Sequence, residues 1–203
     1  MTWSPDAVER ARRLVARYPD PRSAVMPLLY IAQSEEGCLT DEGMRFAAEL
    51  TGLTPVQVKS VASFYSMFKE EAGRYVISVC TSISCMLLGA ADVLEAVEDE
   101  TGVAAGDTGE DGLFTVEHVE CIGACGGAPA AQVGYEFVEG LTPDSARSLC
   151  RWLRDGRPDV VMADEMQELF GGRTGFPWGP ADREGSTGPV PAFGPYGTSE
   201  EGR

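Results

Sequence analysis

The sequence predicts an α/β fold, a helical N-terminal subdomain followed by a domain in which strands alternate with helices. Apolar residues recur at helical spacing through about residue 70. From Arg74 the period changes to two, and short strands alternate with helical stretches. Four of the six cysteines form two close pairs, Cys80-Thr-Ser-Ile-Ser-Cys85 and Cys121-Ile-Gly-Ala-Cys125, each placed just after a strand-like run. Those strands would bring four sulfurs to one edge of the sheet.

The helical part is punctuated by caps. Ser4-Pro5-Asp6 supplies an N-cap, a proline at the first helical position and an acid in the first turn. The helix it opens should run to about Tyr18, where Pro19 and Pro21 stop it. A second covers roughly Ala24 to Glu36 and ends at Gly37, with Leu28, Leu29 and Ala32 on its apolar face. Thr40 caps a third that ends at Thr51-Gly52, and Thr54-Pro55-Val56-Gln57 is a capping box starting a fourth, through about Ser63. These last two helices resemble a helix-turn-helix. The second of them carries one cation, Lys59, too few for a helix that must meet phosphates and base edges.

In the sheet domain, Tyr75, Ile77 and Val79 share one strand face, and Val76 and Ser78 the other. A helix is expected from about Cys85 to Glu100, then a strand at Leu113–Val119. Two short strands follow, Ala130 to Val133 and Tyr135 to Val138, and Thr142-Pro143-Asp144 opens a last helix ending near Gly156. The order βαβ then ββα suggests a thioredoxin-like domain. The expected organisation is a helical subdomain at 1–70, the sheet domain at 71–156 and a Gly/Pro-rich tail at 157–203, mostly extended or disordered.

Composition narrows the function. A chain of 203 residues with 43% hydrophobic content can bury a substantial core. It contains no run of eighteen apolar residues, and the N-terminus leads into a charged helix rather than an apolar signal region. A cytosolic protein without membrane insertion is expected. Its 16 Lys+Arg against 32 Asp+Glu give a net charge of −16, which opposes nucleic-acid binding. The one histidine, His118, leaves a two-histidine Rieske ligand set impossible.

In a reducing compartment paired cysteines bind metal or do redox chemistry more often than they form disulfides. Four thiolates can hold an iron–sulfur cluster, a structural zinc, or neither. Zinc suits the C-x4-C half poorly, at the wide limit of its usual spacing, and dithiol exchange normally uses a C-x-x-C that the chain lacks. An iron–sulfur group with four thiolates is already anionic before it gains an electron. Nearby amide donors make that tolerable, and Gly123, Gly126 and Gly127 would let the backbone approach the sulfurs. Cys85, at a helix start, would gain from the positive end of the dipole.

The stretches Val61-Ala-Ser-Phe-Tyr-Ser-Met-Phe68, Arg74-Tyr-Val-Ile-Ser-Val-Cys80, Asp111-Gly-Leu-Phe-Thr-Val116, Val119-Glu-Cys-Ile-Gly-Ala-Cys-Gly-Gly-Ala-Pro129 and Leu141-Thr-Pro143 resemble a known family. It is the 24 kDa-type [2Fe-2S] subunit of respiratory complex I, the E subunit of bacterial NADH-quinone oxidoreductase. The resemblance covers about residues 24 to 155. It implies a thioredoxin-like ferredoxin domain with one [2Fe-2S] cluster on Cys80, Cys85, Cys121 and Cys125, and no catalytic residue on this chain. It also implies a flavoprotein partner carrying FMN and NADH, single-electron exchange with that flavin, and a place in a larger respiratory complex at the inner face of the cell membrane. The equivalent diaphorase subunit of a soluble NAD-linked hydrogenase or formate dehydrogenase is the alternative; a zinc-binding interaction protein is the third reading. Two departures from the family pattern are the acidic turn Gly106-Asp-Thr-Gly-Glu-Asp-Gly112 and Ala131-Gln-Val-Gly-Tyr135, which lacks an asparagine turn.

The other candidates are plainer. Cys38 and Cys150 are expected to be small buried thiols, His118 a surface or half-buried residue, and Pro129 a candidate cis-proline. Val61 to Phe68 should be buried at the subdomain junction or an interface. Met162, Met166, Leu169 and Phe170 form an apolar stripe with nothing left in the sheet domain to pack on. From Gly171 to Arg203 nine glycines and five prolines argue against a packed core, and within a complex part of this tail is expected to lie extended on a partner, with the short helix at Met162–Phe170 and Trp178 as anchors.

Overall fold

The computed structural model describes residues 3–175. The chain divides into two compact units, the first running to Glu71 and the second beginning at Ala72.

Four helices build the first unit: α1 (Pro5–Val15), α2 (Val25–Glu36), α3 (Asp41–Thr51) and α4 (Pro55–Phe64), with a 3-10 turn at Pro21–Ala24. Ser4, Thr40 and Thr54 cap α1, α3 and α4 through their hydroxyls, and Gln57 closes the capping box at Thr54. The first helix stops at Val15, short of the expected Tyr18. Leu28, Leu29, Ile31, Ala47, Val58 and Phe68 pack in one core with Trp3, which stands edge-on to Phe46 at 4.7 Å. The buried amide of Gln33 ties the end of this unit: its Nε2 donates to the Met67 carbonyl at 3.1 Å and its Oε1 accepts from the Lys69 N–H at 2.8 Å. Burial across residues 61–68 is uneven. Phe68 is in the core, whereas Phe64 is 78% exposed.

The second unit is a four-stranded sheet in the order β2-β1-β3-β4, formed by β1 (Tyr75–Cys80), β2 (Phe114–Val119), β3 (Ala130–Val133) and β4 (Glu136–Glu139). The pair β1 and β2 is parallel; β1 with β3, and β3 with β4, are antiparallel. Central β1 is buried along its whole length. Its Tyr75, Ile77 and Val79 share a core with Val93 and Val97 of α6 (Ala90–Thr101) and with Leu149 and Leu153 of α7 (Pro143–Gly156). The pair α6 and α7 is clamped at its rim by Arg154 to Glu100 at 2.8 Å.

In the second unit the structure departs from the sequence expectation at two places and gives the acidic turn a role. The single helix expected from Cys85 to Glu100 is two, α5 (Ile83–Leu87) and α6, because Gly89 turns left-handed at φ 97 and breaks the ladder between them. The acidic turn before β2 folds back on it, with Gly106 donating to the Val116 carbonyl and Thr108 bridging Thr115. That covers an edge strand. Finally, the stripe at Met162–Phe170 does have a surface to pack on: α8 (Ala163–Leu169) lies on β4, Met166 is fully buried in the sheet core, and Phe170 meets Trp152 at 5.6 Å. The packed chain therefore runs past Gly156. Trp178 and the rest of the tail, residues 176–203, lie outside the described residues.

Candidate metal centre

Parallel pairing of β1 with β2 fixes where the cysteines lie. Cys80 is the last residue of β1 and stands opposite Val119, the last of β2. Both chains then leave the same end of the sheet, and the turns are laced together by Thr81 N–H to the Val119 carbonyl at 3.0 Å and Ser82 Oγ to Glu120 at 2.8 Å. Cys85 is carried back on α5; Cys121 follows β2 by two residues, and Cys125 starts a 3-10 turn through Gly127.

Two of the four thiols are inside and two outside. Cys80 and Cys85 are each 2% exposed, packed among Ala90, Ala124, Ala128 and Ala130. Cys121 and Cys125 are exposed, their sulfurs 3.4 Å apart. The thiols sense one another. Burial pushes the Cys85 thiol up to about 11, against an Ala130 N–H that favours its thiolate, with Cys80 and Cys125 adding repulsion. The Gly123 N–H holds Cys121 below the ordinary thiol range, then Cys125 assists. Cys125 is raised first by Cys121, with Cys80 also contributing. The benefit expected for Cys85 from its helix start is thus outweighed by burial in the metal-free chain.

This donor set fits a two-iron cluster. Among the described residues, no group of three or more His, Cys, Asp or Glu converges on a single ion. The sulfurs instead form two pairs, and a two-iron, two-sulfide core takes two terminal thiolates on each iron. The donors such an anionic group needs are supplied by Gly123, Ala130 and the Ser84 hydroxyl.

The glycines play different roles from those expected. Gly123 is left-handed at φ 90. Gly126 and Gly127 make room for other parts of the protein rather than for the sulfurs: a Cβ on Gly126 would lie 2.9 Å from Gly175 Cα, and one on Gly127 would enter the Glu139 carboxyl. Glu139, Gln167 and the segment after α8 belong to this neighbourhood and were not legible in the sequence, where glycine content made that segment read as tail. The Ala128-Pro129 bond is cis. Of the remaining candidates, Cys150 is fully buried and pushed up to about 12 by that burial, Cys38 is half-buried and raised by the same cause, and His118 is exposed.

The chain matches the thioredoxin-like [2Fe-2S] ferredoxin family over residues 11–154. It is 40% identical over 162 residues to the E subunit of NADH-quinone oxidoreductase from Mycobacterium tuberculosis, a match covering 77% of this chain and 64% of that one. The chain thus spans just under two thirds of the length of the mycobacterial relative. The second E subunit of the same enzyme from Rhizobium meliloti is 42% identical over 140 residues, 68% of this chain and 82% of the relative. Its counterpart numbered subunit 2 in Thermus thermophilus is 40% identical over 146 residues, 70% and 81% of the two chains. In fold the chain is similar to an NAD+-reducing [NiFe]-hydrogenase in the air-oxidized state, with a TM-score of 0.64, 20% identity, and coverage of 74% of this chain and 25% of that one.

Proposed function

This chain belongs to the thioredoxin-like [2Fe-2S] ferredoxin family, and from that premise we propose that it is an electron-transfer subunit of an NADH-quinone oxidoreductase. Cys80, Cys85, Cys121 and Cys125 hold its one [2Fe-2S] cluster. FMN and NADH sit on a flavoprotein partner within the larger respiratory complex, at the inner face of the cell membrane. The chain alone is an electron carrier; as part of the complex it serves an NADH dehydrogenase. The observation that carries this reading is the four-thiol arrangement, two sulfurs sealed among alanines and two at the surface.

When bound, the cluster accepts and returns one electron at a time. The chain's own residues do the rest. The alanine nest keeps water from one side of the site, the Gly123 and Ala130 N–H groups favour thiolates, and the exposed pair opens the other side to a redox partner. Beside Cys85, Ile83, Met86, Leu87 and Leu88 are all more than half exposed. Such an apolar group at the rim of a charged site suits a protein interface. The sequence has no G-x-G-x-x-G or Walker loop, in keeping with nucleotide binding by the partner. Among the described residues no helix is long and apolar enough to cross a membrane.

A hydrogenase-type diaphorase role is the second reading, favoured by the likeness in fold to the NAD+-reducing hydrogenase. Native mass spectrometry of the tagged, chromosomally expressed chain separates the two. Co-purification with an FMN-containing subunit and quinone-reductase subunits is expected, and Leu87→Glu should reduce that recovery while leaving the cluster's absorption unchanged. Recovery with a [NiFe] subunit supports the second reading; recovery without any flavoprotein contradicts both.

A further inference from the structure

Beyond α8 the chain does not simply depart. Gly172 donates its N–H to the Glu139 carbonyl at 2.8 Å, prolonging the edge of β4. Gln167 grips the same residue from the helix, its Oε1 accepting from the Glu139 N–H at 2.8 Å and its Nε2 donating to the carbonyl at 3.2 Å. Three residues later the Gly175 N–H donates to the Glu139 carboxylate at 3.3 Å. That carboxylate is buried, with the residue 1% exposed, and lies against Gly127 in the turn that Cys125 begins. The next residue, Gly140, donates to the Gly127 carbonyl at 2.6 Å.

Backbone meets backbone at two crossings. A Cβ on Gly175 would lie 2.6 Å from Gly126 Cα, and one on Gly172 would lie 2.6 Å from the Gly140 carbonyl oxygen. Gly126, Gly172 and Gly175 are absent from the residues with positive φ. These glycines are therefore required for space and not for conformation, and alanine could adopt their backbone angles but not fit between the chains.

We propose that the segment Gly171–Gly175 is a clasp for the metal centre, with Glu139 and Gly175 as positioning residues that hold the Cys121–Gly127 loop in its ligating shape. The inference rests on the assignment of Cys121 and Cys125 as cluster ligands. It explains how an exposed cysteine pair, which lacks the packing around Cys80 and Cys85, is kept in place. Loops with few buried contacts open most readily, and each hydrogen bond that crosses to a packed element opposes that opening. Here Gly140 bonds the loop at the Gly127 carbonyl, Glu139 packs against Gly127, and Gln167 ties Glu139 to α8, whose Met166 is locked in the sheet core.

The test compares the full chain, a chain ending after Gly175, a chain ending after Phe170, and full-length G175A, E139A and E139Q. Two rates are read: loss of iron from the loaded protein to a chelator, and alkylation of each cysteine in the metal-free protein. The chain ending after Gly175 and E139Q, which keeps an acceptor for the Gly175 N–H, should match the parent. The chain ending after Phe170, G175A and E139A should lose iron faster by roughly threefold to tenfold, the scale of one or two lost hydrogen bonds. Their Cys121 and Cys125 should alkylate faster by a similar factor, with Cys80 and Cys85 unchanged. Parental rates in G175A and E139A overturn the clasp, as does a uniform rise at all four cysteines, which would mean general loosening. Should the chain ending after Phe170 fail to fold, G175A and E139A decide alone. Were the parent to bind no iron, the cluster assignment would fall, while the alkylation pattern would still report whether the segment restrains the loop.

Discussion

Cys80 and Cys85 are held by the core, whereas Cys121 and Cys125 are held by a loop at the surface. The first pair sits at the end of the central strand and on α5, each residue 2% exposed and surrounded by alanines. The second pair is exposed; its loop accepts a bond from the Gly140 N–H at the Gly127 carbonyl and lies against the segment beyond α8. The proposed metal centre thus joins one pair held by burial to one held by loop contacts. Burial makes Cys85 reluctant to ionise without metal, whereas at the surface the Gly123 N–H favours the Cys121 thiolate.

The largest effect that probes this contrast is loss of the cluster itself. Serine at Cys80, Cys85, Cys121 or Cys125 should abolish or sharply lower the visible absorption, and serine at Cys38 or Cys150 should leave it intact. The two pairs should then separate in the metal-free protein. At the inner pair serine buries a more polar group, costing on the order of 1–3 kcal/mol in denaturant unfolding; at the outer pair the cost should be close to zero. Equal costs would break the comparison.

Thiol reactivity sharpens it further. At pH 8 a thiol with a pKa of about 11 is ionised only about one part in a thousand, so Cys85 should alkylate roughly a hundredfold or more slowly than Cys121 in the metal-free chain. Peptide mapping after a timed iodoacetamide pulse measures the ratio. Comparable rates would mean that the inner pocket opens freely.

A smaller effect concerns Cys150, a buried thiol outside the metal centre. Its pKa is raised by burial from 9.0 to about 12, so between those values the folded chain holds a proton that the unfolded chain has released. Stability should therefore be unaffected below pH 9 and fall as pH rises toward 12. In metal-free protein, Cys150→Ala should flatten that decline relative to the parent; an unchanged slope would assign it to other groups.

Much of this architecture is legible in the sequence because its signals are local. Ser4, Thr40, Thr54 and Thr142 cap the helices they precede, the alternation at Tyr75–Val79 gives the central strand, and the cysteine spacing marks the candidate residues of the proposed metal centre. What escapes is a glycine break inside an apolar run and contacts set by long-range packing. The apolar run Met86-Leu87-Leu88-Gly89-Ala90 reads as continuous helix, although Gly89 breaks it and leaves Leu87 and Leu88 exposed. Composition likewise makes Gly171–Gly175 read as tail, because nothing local reveals that Gly140 stands opposite Gly172, and Gly126 opposite Gly175, and that each demands a missing side chain. The burial of Glu139 is equally hidden, since an acid at a strand end is ordinarily solvated.

Metal and sulfide analysis of the anaerobically purified full chain, with its visible spectrum before and after reduction, tests the central claim most directly. The four-thiolate assignment predicts a reddish-brown protein with about two irons and two acid-labile sulfides per chain that bleaches on one-electron reduction. A colourless chain carrying one zinc and no sulfide would contradict it.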